Sequence, residues 1–156
     1  MKNHIIISLL ILSVGLSQKE YNYNDLIEMD NGLLTEKFSD EPISGKVYGY
    51  FGEEGNLKKV YIGNVRNGKQ EGNWIWWYEN GQMKFDKTFK EGKEDGFHTQ
   101  WYENGQRKNE RHYKDEKEDG LFTLWYENGL KRFESTFKDG KFISKKEWNE
   151  DGSVKE

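Results

Sequence analysis

The sequence predicts an all-β fold in which tandem β-hairpin repeats form an elongated, twisted antiparallel meander sheet. Three observations carry this. The strings Trp77-Tyr78-Glu79-Asn80-Gly81-Gln82, Trp101-Tyr102-Glu103-Asn104-Gly105-Gln106 and Trp125-Tyr126-Glu127-Asn128-Gly129-Leu130 recur every 24 residues, the mark of a repeat architecture. An Asn-Gly pair sits in each, between an aromatic run and an alternating run, where a hairpin reverses. Seventeen glycines against one proline supply tight turns and leave strand N–H groups free for a ladder.

Taken in order, Met1-Lys2-Asn3-His4 precedes an apolar run from Ile5 to Leu16, with Gly15 and Ser17 as small residues before a cleavage point. This reads as a signal peptide over residues 1–17. A membrane span needs about 20 apolar residues, and this run ends sooner, at Gln18-Lys19-Glu20. Export into a periplasm or to the outside is therefore expected. Residues 18–44, with Tyr21, Tyr23, Leu26, Ile27, Leu33, Leu34 and Phe38 and a turn signal at Asp30-Asn31-Gly32, read as an N-terminal capping segment before Pro42 gives way to the array.

The repeat domain is expected over residues 45–156. Lys84, Lys108 and Arg132 share the 24-residue spacing, as do Phe89, Tyr113 and Phe137, Lys93, Lys117 and Lys141, and Gly72, Gly96 and Gly120. Degenerate copies flank the block, one ending in Val65-Arg66-Asn67-Gly68-Lys69 and one in Trp148-Asn149-Glu150-Asp151-Gly152. A two-residue type I′ turn at Asn80-Gly81 would set Glu79 opposite Gln82, Tyr78 opposite Met83, Trp77 opposite Lys84 and Trp76 opposite Phe85. Alternation then puts Trp74, Trp76, Tyr78, Met83 and Phe85 on one face and Ile75, Trp77, Lys84 and Asp86 on the other. In the second hairpin the first face becomes polar, with His98, Gln100, Arg107, Asn109 and Arg111. Second turns such as Lys90-Glu91-Gly92-Lys93 link the hairpins into a meander, and charged terminal copies cap its edges.

The motif Gly-x-x-x-x-Trp-Tyr-x-Asn-Gly-Gln-x-Lys, followed by an aromatic residue and Gly-Lys-x-x-Gly, resembles the MORN repeat variant of bacterial antitoxin-like proteins, over roughly Gly45 to Lys141. The resemblance implies a row of β-hairpins and a role in protein interaction, including neutralisation of a toxin. Departures occur at His98, where the preceding copy has Trp74, at Glu116 in place of Gly92 and Gly140, and at Leu130 in place of glutamine.

Composition excludes several function classes. Net charge is −4 with lysine and arginine dispersed among acids, which argues against nucleic acid as a partner. Losing the leader removes one lysine and no acid. With no basic amphipathic segment in the remainder, membrane binding after cleavage is disfavoured. The absence of cysteine excludes disulfides, thiolate metal sites and a lipid-modified cysteine. His98 and His112 fall on opposite faces by alternation, and Glu94-Asp95 and Glu118-Asp119 lack the ligand pattern of a calcium loop. No nucleophile elbow or phosphate-cradling loop is present. The expectation is a non-enzyme with no cofactor and no metal.

Partner-binding candidates are Trp77, Trp101 and Trp125, each expected to stack with Lys84, Lys108 or Arg132 across its hairpin, and the polar group His98, Arg107 and Arg111. For the tryptophan row, packing between hairpins is the favoured alternative; for the polar group, an exposed hairpin face without further role. The function expected is protein–protein interaction by an exported, non-catalytic repeat protein. The alternatives are an envelope glycan-binding module, since flat rings beside polar groups suit sugar faces, or the antitoxin component of a toxin–antitoxin pair.

Overall fold

A computed structural model describes residues 18–52 and 56–155, so the expected leader lies outside the described residues. Among the described residues twelve strands form an open ten-stranded sheet and a separate two-stranded hairpin. They are β1 (Glu20–Asn22), β2 (Leu26–Glu28), β3 (Leu34–Glu36), β4 (Gly45–Phe51), β5 (Lys58–Arg66), β6 (Lys69–Trp77), β7 (Met83–Lys90), β8 (Lys93–Trp101), β9 (Arg107–Lys114), β10 (Lys117–Trp125), β11 (Lys131–Lys138) and β12 (Lys141–Glu147). From β4 to β12 every strand pairs antiparallel with the next, the meander expected. β1 departs from it by lying parallel to β4, so the sheet is mixed at that edge. β2 and β3 pair with each other in the two-stranded hairpin.

The two kinds of turn are exchanged relative to the sequence expectation. Type I′ geometry sits at the second turns: Arg66 pairs with Lys69, Lys90 with Lys93, Lys114 with Lys117 and Lys138 with Lys141. Both central residues there have positive φ, as in Glu91 (52°) and Gly92 (84°). At the Asn-Gly turns only the glycine does, with φ of 84° at Gly81. Gly81 N–H donates to Tyr78 C=O at 2.9 Å and Tyr78 N–H to Gln82 C=O at 2.8 Å. The loop therefore has three residues, a type I turn closed by a left-handed glycine. The Asn80 side chain accepts from Gln82 N–H at 2.9 Å, which holds the asparagine in the turn without positive φ.

The extra loop residue is absorbed by a bulge one step along. Trp77 pairs with Met83, while Trp76 still pairs with Phe85 and Ile75 with Asp86. The hairpin body thus keeps the expected register and faces. Near the turn the faces change: Met83, and Arg107 in the second unit, move to the side that carries Trp77 and Trp101.

The apolar core is concentrated at the N-terminal end. Tyr21, Ile43, Val47, Ile62, Val65 and Trp74 are buried together, with Leu26, Leu34, Val60, Trp76, Trp77 and Phe89 packed against them. The Trp74 ring lies flat on Gly63, where a Cβ would come within 2.4 Å of it, and its indole N–H donates to Asn64 C=O at 3.1 Å. Residues 18–44 supply two of the six buried members, so the array begins on a packed base.

Candidate functional site

Each unit is fastened to the next by the residues of its own turn. Tyr78 Oη donates to Trp101 C=O at 2.8 Å, Tyr102 Oη to Trp125 C=O at 2.9 Å and Tyr126 Oη to Trp148 C=O at 2.9 Å. Beside each, Asn80 Nδ2 donates to Glu103 C=O, Asn104 to Glu127 and Asn128 to Glu150. Gln82 leans over Gly105 so closely that a Cβ there would fall 2.3 Å from its Oε1, and Gln106 does the same over Gly129. The Trp-Tyr-Glu-Asn-Gly string is a joint between repeats. Its strict recurrence at Tyr and Asn was the signal for this role, and the sequence reading spent it on the turn alone.

That joint relocates the expected cation stacking. Lys84 lies over the Tyr78 ring at 5.4 Å, Lys108 over Tyr102 at 5.5 Å and Arg132 over Tyr126 at 5.8 Å, so the cations cover the tyrosines and not Trp77, Trp101 and Trp125. The cause is the bulge, which places Met83, Arg107 and Lys131 opposite those tryptophans. All three tryptophans are half-buried, and Trp77 donates its indole N–H to Tyr61 C=O at 3.3 Å.

The tryptophan side, the back face, also carries a row of acids alternating with buried threonines: Asp86, Thr99, Glu110, Thr123 and Glu134. Arg107 pairs with Glu110 at 3.3 Å and Lys131 with Glu134 at 2.6 Å. Met83 stands at the matching position of the first unit, and burial pushes the Asp86 carboxyl upward. Arg107 is thereby separated from His98 and Arg111, which pair with each other across the opposite, front face. Phe97 and Leu121 are exposed on the back face. The sequence reading singled out neither, because neither belongs to the recurring tryptophan string or to the polar group of the second hairpin.

The front face holds two aromatic clusters around a polar centre. Trp76, Phe85 and Phe89 lie on one side, Phe122, Phe133 and Phe137 on the other, and all six are half-buried. Between them Asn109 Nδ2 donates to Gln100 Oε1 at 2.7 Å, and the Arg111 guanidinium lies 4.1 Å over the Phe122 ring while pairing with Glu118 at 3.0 Å. Lys87 pairs with Glu94 at 2.5 Å in the same arrangement one unit earlier. His98 stacks on Tyr113 at 6.2 Å and meets the edge of Phe85 at 6.3 Å. Burial, with Lys87 and Arg111 nearby, holds its pKa below 6.5, partly offset by Glu94. Its Nδ1 is buried, 4.0 Å from Glu94 Oε2, with no hydrogen bond. Gln70, Trp76, Phe85, Lys87, Phe89 and His98 line a hollow of about 400 Å³.

His98 and His112 lie on opposite faces, since Phe97 and not His98 is the partner of His112. Among the described residues no group of three His, Cys, Asp or Glu side chains is placed to hold a metal ion. Of the paired acids, Glu94 and Glu118 are engaged by Lys87 and Arg111, and Asp119 by Lys138 at 2.9 Å.

Comparison with known families gives a match whose limits fall within one residue of these hairpins. Residues 70–91 and 94–115 match the MORN repeat variant. The first matched stretch is β6, its turn and β7; the second is β8, its turn and β9. The third hairpin, β10 and β11, repeats the joint and the three-residue turn of the two matched MORN-variant units. Neither the curated proteins nor the solved structures give a match.

Proposed function

We propose that this chain is an exported, non-catalytic repeat protein whose front face binds another protein. The observation that carries the reading is the arrangement of that face. Two aromatic clusters flank His98, Gln100, Asn109 and Arg111, all of them half-buried, and the first cluster is backed by the N-terminal core through Trp76 and Phe89. Aromatic anchors set among polar groups are the ordinary form of a protein-docking patch, whereas the exposed Phe97 and Leu121 on the back face are each followed on that face by a buried threonine. MORN-variant similarity supports an interaction role, since it covers two of the three units that build the patch. The apolar run before Gln18 supports export.

Affinity capture from envelope and culture fractions tests this. A specific protein should be retained by the wild-type chain and by Phe97→Ser on the back face. It should be lost with Arg111→Ala or Phe122→Ala, with circular dichroism confirming the fold of each variant. Retention by the front-face variants, or capture of cell-wall glycan in place of protein, contradicts the reading. Mass spectrometry of the native product should find its first residue just after Ser17.

A further inference from the structure

We propose that the hollow in the first unit accepts a tyrosine side chain of the protein partner, with its ring against Trp76, Phe85 and Phe89 and its phenolic hydroxyl donating to His98 Nε2. This rests on the protein-binding reading above and adds the chemistry of the anchor.

Four features select that occupant. First, three aromatic side chains line an open hollow of about 400 Å³, a space suited to one ring and the start of its chain. Second, the charges cancel: Lys87 is held by Glu94 at 2.5 Å, so neither a free cation nor a free anion awaits an ionic ligand. Third, the Glu94 carboxylate stands 4.0 Å from His98 Nδ1, which favours the tautomer with hydrogen on Nδ1 and leaves the lone pair on Nε2. His98 lines the hollow and so brings to its wall an acceptor that a tyrosine hydroxyl satisfies and a phenylalanine leaves empty. Fourth, the hollow belongs to one unit alone. In the next unit Gln100 and Asn109 stand where Trp76 and Phe85 do, and Phe122 stands where His98 does. A sugar would call for several directional polar groups, whereas besides His98 only Gln70 here is polar and uncharged.

N-acetyl-tyrosinamide, titrated into the purified protein and followed by NMR, is the probe. It should shift the Trp76 indole and His98 ring resonances and bind at least several-fold more tightly than N-acetyl-phenylalaninamide. His98→Phe, which installs the residue the third unit already carries, should bring the two probes to equal affinity. No shift at those resonances overturns the inference, as does equal binding of both probes to the wild type, or a response to an N-acetylglucosamine oligomer in place of the amide. A captured partner that is lost with Arg111→Ala, yet is retained by Trp76→Ala and not displaced by N-acetyl-tyrosinamide, overturns the inference and leaves the protein-binding reading standing.

Discussion

Glu116 is the residue where the repeat and the backbone disagree. It occupies the second central position of a type I′ turn with φ of 64°, where Gly92 and Gly140 stand in the neighbouring turns. A side chain in the left-handed region costs about 1–2 kcal/mol, less the entropy glycine would add to the unfolded chain. Glu116→Gly is expected to raise stability by about 0.5–1 kcal/mol, read as a higher urea midpoint at unchanged slope. His98 makes a second prediction at this scale. Its folded pKa lies below 6.5, so between that depressed value and 6.5 the unfolded chain holds a proton that the folded chain refuses. Stability is then at its full value above about pH 6.5, falls as pH drops through the window, and levels off below it. Urea midpoints taken between about pH 8 and pH 5 should show this slope in the wild type and a flatter one in His98→Phe.

At the scale of the element, the hairpin is held to its neighbour by turn side chains as well as by the ladder. Tyr102→Phe removes the bond to Trp125 C=O and should cost about 1 kcal/mol. Tyr78→Phe should cost a similar amount, and urea unfolding of both variants checks the equivalence of the joints. The strands, their order and the hairpin register were legible because the 24-residue period and the alternation of apolar residues are strong signals. The turn type was not. Asn-Gly satisfies both a two-residue type I′ turn and a three-residue turn with a left-handed glycine. The choice between them depends on Asn80 reaching Gln82 N–H within the turn and on Tyr78 reaching across to Trp101, a contact that exists only once the repeats are stacked. One loop residue changed the partners of Trp77, Lys84 and Arg107, which is why the His98–Arg111 pair was legible while the stacked tryptophan row was not.

At the scale of the molecule, stability is unevenly distributed. The buried cluster lies where residues 18–44 meet the first strands of the array, while β12 is exposed along nearly its whole length. Ile43→Ala, in that cluster, is expected to cost about 2–4 kcal/mol, and Phe97→Ala on the open back face less than about 0.5 kcal/mol. Thermal or urea unfolding of the pair measures the contrast. Such a layout suits a protein that holds one end firm and presents the rest of an open sheet to a partner.

The face that each side chain takes, and with it the proposed binding patch and hollow, depends on the register around the three-residue turns. Cross-strand proton contacts in an NMR spectrum of the labelled protein read that register directly. Contacts of Trp77 with Met83, Trp76 with Phe85 and His98 with Arg111 are expected. Contacts of Trp77 with Lys84 and Tyr78 with Met83 would contradict it.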